Sequence, residues 1–284
     1  MKESTTTPSP AAVYRDLEYA RVGGRSLLLD LYLSGRRDHP RPLVIWVHGG
    51  AWLVGDKNED TALPLLEFGF AVACIDYRLS PAAIFPAQIH DCKAAVRWLR
   101  TNSEKYGLDP ERIGAWGSSA GGHLVALLGT SGGIGELEGD VGGNLHYASR
   151  VQAVCDWFGP TDLLQMDAHA RPGSWIVHNT PDSPESQLIG CPIQENREKA
   201  AKANPIAYIR RSELPPFLIM HGDRDDTVPF HQSILLYEAL RQAGAEVEFT
   251  TVDGAGHGFE GDEVIDRVER FFIKHLQKER RGHP

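Results

Sequence analysis

Short apolar runs alternate with amphipathic helical patterns along nearly the whole chain, and this alternation leaves few folds open. Residues 42–48, PLVIWVH, form a continuous apolar run of the kind found in a strand buried on both faces of a parallel sheet. FAVACIDY, IGAWG, VQAVCDWF, FLIMHG and EVEFTTV repeat that signature. Between them lie helical patterns: PAQIHDCKAAVRWLRTNSEKYG (86–107), SAGGHLVALLG, HQSILLYEALRQAG (231–244) and a terminal DEVIDRVERFFIKHLQKER. Strand, helix and strand in succession imply right-handed crossovers and a mainly parallel central sheet with helices on both faces. The expected class is therefore α/β. Ahead of this core, LEYA from Leu17, the turn VGGR and SLLLDLYL read as an antiparallel edge hairpin.

Three segments fall outside the rhythm. Residues 1–12 are rich in Ser, Thr and Pro and read as a flexible tail, leaving 13–284 as a single domain. Residues 131–150, rich in glycine, read as a mobile surface loop. The stretch from about 160 to 205 holds many Pro, Ser, Asn and Gly, with only short helical pieces such as SPESQLIG and NREKAAKAN. It interrupts two core strands near the end of the sheet where open α/β folds bind ligands, so a small lid over the site is expected.

Composition narrows the function classes. With 42% hydrophobic and 24% charged residues the chain is neither disordered nor membrane-like, and no apolar stretch reaches the roughly 18 residues a membrane helix needs. A net charge of −9 gives no attraction to nucleic acid or anionic lipid. The N-terminus lacks the apolar run of a signal peptide, so a cytoplasmic chain is expected, or an exported one if a leader has been removed. Cys74, Cys92, Cys155 and Cys191 form no C-x-x-C pair, and no metal site is expected. Cys74 and Cys92 read as buried thiols, whereas a Cys155–Cys191 disulfide stays open for a chain that works outside the cytoplasm. A homo-oligomer is also left open.

The chemistry is concentrated in three separated segments. Gly117-Ser118-Ser119-Ala120-Gly121 follows the strand-like RIGAW and opens a helix. A serine on so sharp a turn takes strained backbone angles and exposes its hydroxyl, and the helix behind it offers the free N–H of Ala120 and a positive dipole end. His48-Gly49-Gly50-Ala51-Trp52 follows the buried strand PLVIWV. Its glycines let backbone N–H groups face a ligand, so Gly50 and Ala51, with Ala120, are the expected donors to an oxyanion, each lowering an acyl-transfer barrier by about 3–4 kcal/mol.

A serine nucleophile needs a base, and the base needs an orienting partner. Of twelve histidines, His257 sits in the glycine loop DGAGHGF after EVEFTTV, where the chain would return to the site. The others have plainer roles: His123, His90 and His231 lie in helices, and His48 and His221 end strands, where they would bond loops. The acid comes from HGDRDDTVP after FLIM. Asp225 is the preferred partner, Asp226 the alternative, and Asp223 is read as structural.

Taken together, HGGAWLVGDK, IDYRLSP, FPAQIHDCKAAVRWLR and GSSAGGHL, with DLYL before them, resemble the α/β-hydrolase esterases similar to feruloyl esterases and to hormone-sensitive-lipase-type carboxylesterases. The likeness runs from about Leu27 onward, and the order Ser119, Asp225, His257 is the one that fold uses. Lipase-like members carry three glycines after the oxyanion-loop histidine; Ala51 at the third position moves the likeness toward the feruloyl-esterase-like branch. The resemblance implies an α/β-hydrolase fold, short-chain acyl or aryl esters of the acetyl or feruloyl type, free or linked to polysaccharide, and no cofactor. Activity is then expected to fall at acid pH as His257 becomes protonated.

Three rival readings start from the same residues. Formamidases similar to kynurenine formamidase share the HGG motif and would cleave formyl amides. Peptidases of the fold share the HGD loop but carry a large extra domain for which this chain has no room. A non-catalytic hydrolase fold serving as a binding protein typically loses the histidine that His257 retains.

Overall fold

The run at 42–48 becomes β3 (Arg41–Val47), and its alternation shows how the molecule is layered. Leu43, Ile45 and Val47 join a core on one face of the sheet, while Val44 and Trp46 join a second core on the other. The computed structural model describes residues 10–35, 40–80, 82–174, 176–210, 214–259 and 261–277. The other strands are β1 (Ala12–Val22), β2 (Arg25–Leu33), β4 (Ala71–Ile75), β5 (Leu108–Ser118), β6 (Ala153–Trp157), β7 (Phe217–Gly222) and β8 (Val247–Val252). They form one sheet in the order β1-β2-β4-β3-β5-β6-β7-β8. β1 to β2 and β2 to β4 are antiparallel, and every later pair is parallel.

The helices are α1 (Ala87–Thr101), α2 (Ser103–Tyr106), α3 (Ala120–Thr130), α4 (Gly135–Glu138), α5 (Met166–His169), α6 (Pro184–Ile189), α7 (Arg197–Lys202), α8 (His231–Gln242) and α9 (Asp262–Leu276). Leu99 of α1, Leu124 of α3 and Leu236 of α8 pack into the first core; Val268 and Phe272 of α9 pack into the second. None of the described helices is long and apolar enough to cross a membrane.

Three expectations change and one open question closes. β1 begins at Ala12 rather than Leu17, so the last residue assigned to the tail is already in the sheet; residues 1–9 lie outside the described residues. β8 shows half-buried positions in place of a fully buried run, because an edge strand has a neighbour on one side only. All four cysteines are free, so Cys155, buried on β6, and the half-buried Cys191 form no bridge. The 131–150 loop is tied down: Glu138 accepts from Lys93 Nζ at 2.8 Å, Arg97 at 3.1 Å and Ser149 Oγ at 2.7 Å. The stretch between β6 and β7 holds α5, α6, α7 and single turns, as its composition implied.

Candidate active site

Ser119 sits where β5 turns into α3, at φ 55° and ψ −121°, a conformation that an L residue adopts only under constraint. Two hydrogen bonds impose it: Ser119 N–H donates to Trp157 O at 2.9 Å, and His123 N–H donates to Ser119 O at 3.0 Å. The turn is also squeezed. A Cβ on Gly121 would lie 2.0 Å from the Val47 carbonyl oxygen, so only glycine lets the helix come this close to β3. Ala120 is the first residue of α3, and its N–H has no carbonyl within the helix to take it.

The loop after β3 approaches from the other side. Gly50, Ala51 and Trp52 have consecutive positive φ values of 97°, 54° and 58°. The turn is closed by Leu53 and Val54 N–H donating to Gly50 O at 2.9 and 3.0 Å, and a Cβ on Gly50 would meet Val54 O at 2.2 Å. Among the described residues no backbone carbonyl accepts from the N–H of Gly50 or Ala51. Gly49 rests against the serine turn, since a Cβ there would stand 3.4 Å from Ser119 Cβ.

His257, in the loop after β8, completes the arrangement. Ser119 Oγ donates to His257 Nε2 at 3.0 Å, and His257 Nδ1 donates to Asp225 Oδ2 at 2.7 Å. These two contacts assign the imidazole proton to Nδ1 and leave Nε2 as the acceptor. Asp225 is fully buried at the end of β7, where Thr227 and Val228 N–H donate to its Oδ1 at 2.8 and 2.9 Å. Burial would raise its carboxyl; the hydrogen bonds from His221 and His257 outweigh that and hold it well below the usual carboxylate range. Asp226, in contrast, is exposed and lies 3.3 Å from Arg171, while Asp223 accepts from Gly254 N–H at 2.6 Å and so ties two loops together.

Two contributors were missed by motif reasoning. His221 does bond a loop, giving its Nε2 proton to Val228 O at 2.9 Å, but the same proton also reaches Asp225 Oδ2 at 3.2 Å. Ser233 of α8 holds its other nitrogen at 2.7 Å. The HGD motif was the available signal. Phe158, at φ 42°, sets its ring 4.6 Å from that of His257, and nothing in its sequence neighbourhood marks it. His48 bonds Gly49 O at 2.8 Å, and burial pushes His123 down to about 4.

Ser119 opens on a cavity of about 140 Å³ whose wall also includes Ala51 and Ala120. The 160–205 segment supplies Pro160, Met166, Ile176, His178, Pro184 and Glu185 to that wall. The arrangement can therefore present a hydroxyl with its proton acceptor to a group held against three backbone amides.

The chain is similar to known esterases. Esterase LipQ of Mycobacterium tuberculosis is 35% identical over 88% of this chain and 58% of its own length, so the chain spans little more than half of that relative. A truncated carbohydrate esterase from gut microbiota superposes with a TM-score of 0.86 at 35% identity, over 97% of this chain and 99% of the other. A bifunctional GH43-CE protein of Bacteroides eggerthii gives 0.82 at 38% identity over 92% of this chain and 38% of its own. The central sheet and its connections are those of the α/β-hydrolase fold. The BD-FAE sequence profile matches residues 29–240, a span that takes in the glycine loop, the serine turn and Asp225, and the chain belongs to the BD-FAE family.

Proposed function

We propose that the chain is a serine carboxylesterase in which Ser119 is the nucleophile, His257 the general base and acid, and Asp225 the residue that orients the imidazole. The observation that carries this reading is the continuous chain of hydrogen bonds from Ser119 Oγ through His257 to Asp225, beside a cavity bordered by unengaged backbone amides. As Ser119 Oγ attacks the ester carbonyl, His257 Nε2 takes its proton, and the N–H groups of Gly50, Ala51 and Ala120 receive the negative oxygen. His257 then protonates the departing alcohol. Water, deprotonated by the same nitrogen, attacks the acyl-enzyme and frees the acid. Asp225 stays ionised throughout, because its hydrogen bonds hold the carboxyl low while the imidazolium forms beside it.

The cavity volume of about 140 Å³ is close to the ~150 Å³ that takes up a benzene ring, so it suits a short acyl group or one aromatic ring. Acetyl and aryl esters, free or attached to carbohydrate, are the substrates this favours, in keeping with the carbohydrate esterase among the similar structures. The segment 160–205 acts as the lid that shapes this cavity. Ser119→Ala is expected to lower kcat on p-nitrophenyl acetate by roughly 10⁴-fold or more with an unchanged circular dichroism spectrum; turnover within tenfold of the wild type would sink the assignment. An acyl-length series of p-nitrophenyl esters, run beside methyl ferulate and acetylated xylan, tests the substrate range.

A further inference from the structure

The cavity beside Ser119 carries more polarity than an acyl pocket requires. Two side-chain atoms in its wall residues, Glu185 Oε2 and Trp52 Nε1, are buried with no hydrogen-bond partner among the described residues. Glu185 is 3% exposed and Trp52 2%. A buried polar atom is costly while it stays unpaired, so a fold that keeps both beside its reactive serine calls for an explanation. An ionised carboxylate oxygen only accepts and an indole N–H only donates. A hydroxyl serves both, donating to the carboxylate oxygen and accepting from the indole.

The carboxylate is prepared for that task. Glu185 Oε1 is taken by His178 Nδ1 at 2.7 Å, which leaves Oε2 as the oxygen to spare. Burial would push the His178 imidazole down, but its hydrogen bond to Glu185 outweighs that and raises it. The pair is also held in place. His178 N–H donates to Asp167 Oδ1 at 2.7 Å, and Ser183 Oγ caps α6 by accepting from Ser186 N–H at 3.2 Å, which fixes Glu185 in the first turn.

We propose that Glu185, braced by His178 and assisted by Trp52 Nε1, is a specificity-determining residue that recognises a hydroxyl on the ester. The hydroxyl donates to Glu185 Oε2 and accepts from Trp52 Nε1. This rests on the esterase reading above. The test separates a hydroxyl on the acyl half of the ester from one on the alcohol half.

Two isosteric pairs suffice, with each rate normalised to alkaline hydrolysis of the same ester: 2-hydroxyethyl acetate against propyl acetate for the alcohol half, and methyl hydroxyacetate against methyl propionate for the acyl half. The wild type is expected to favour the hydroxyl member of one pair by about tenfold or more in kcat/KM, since a hydrogen bond to a charged group contributes about 1.5–3 kcal/mol. In Glu185→Leu that ratio should collapse toward one. Ratios near one for the wild type in both pairs overturn the proposal without any variant, should Glu185→Leu fail to fold. A preference that survives in Glu185→Leu overturns it as well. Wild-type turnover of p-nitrophenyl acetate without any hydroxyl preference leaves the esterase reading standing and removes only this one; no turnover of any ester removes both.

Discussion

Asp225 lies between two imidazoles that act on it differently. His257 donates to its Oδ2 at 2.7 Å and leads to Ser119, whereas His221 donates a second, longer bond of 3.2 Å to the same oxygen from within the core. Replacing the carboxylate by an amide keeps the shape but presents the wrong hydrogen-bond pattern to His257 Nδ1. Asp225→Asn should therefore lower kcat by roughly 10³–10⁴-fold. Asp226→Asn, which removes only an exposed contact with Arg171, should stay within about threefold of the wild type. A larger loss at Asp226 than at Asp225 in steady-state kinetics would reverse the assignment. Because the fold depresses the Asp225 carboxyl, it contributes stability that is present above the ordinary carboxylate range near pH 4 and is lost as pH falls below it. The Tm difference between wild type and Asp225→Asn should accordingly narrow from pH 7 to pH 3. The meeting of Ser119, His257 and Asp225 was legible because glycine-flanked motifs after strands mark where such a chain must turn. His221 and Phe158 were not, because their contribution depends on which strand ends meet in space.

At the scale of elements, the end of β6 carries an unusual load beneath α3. Asp156 is fully buried and opposite Gly117 in register; it accepts from Gly159 N–H at 2.9 Å through one oxygen, and the other has no partner among the described residues. Burial pushes its carboxyl up to about 7. A carboxyl raised in the folded state contributes stability that is fully present below the unfolded value near pH 4 and lost as pH rises toward 7. Asp156→Asn, which keeps an acceptor for Gly159, removes that dependence, so the variant should gain in Tm on the wild type between pH 4.5 and pH 8. Parallel melting curves across that range would show that Asp156 does not titrate as described. The apolar runs that became β3 to β7 were readable from their pattern alone. The first residues of β1 were not: they are mostly exposed at the sheet edge, Asp16 has φ 54°, and the register shifts between Tyr14 and Leu17. Nor does any local run say that β4 pairs with both β2 and β3.

For the molecule as a whole, the most consequential contacts are those that fasten the 131–150 loop to α1. Lys93 and Arg97 are buried on that helix, and Glu138 of α4 lies 2.8 and 3.1 Å from them. Burial pushes the Lys93 ammonium down, and Glu138 opposes it. Arg100 adds a bond to Arg150 O at 2.6 Å. Glycine content suggested mobility for this loop because composition reports what a segment could do alone, whereas these cations reach it from a helix distant in sequence. Glu138→Ala would leave two buried cations without their carboxylate. The cost of breaking such a pair is about 3–5 kcal/mol, and the lower end applies here because Glu138 is 26% exposed and water can partly replace it. At roughly 2–4 °C per kcal/mol, Tm should fall by about 6–12 °C. Lys93→Met combined with Glu138→Leu should cost less than Glu138→Ala alone, since it leaves one buried cation, Arg97, without its carboxylate where Glu138→Ala leaves two. Thermal melts of the two variants decide the matter: a double variant that melts below Glu138→Ala would mean that the loop is held by packing and backbone bonds, with the ion pairs contributing little.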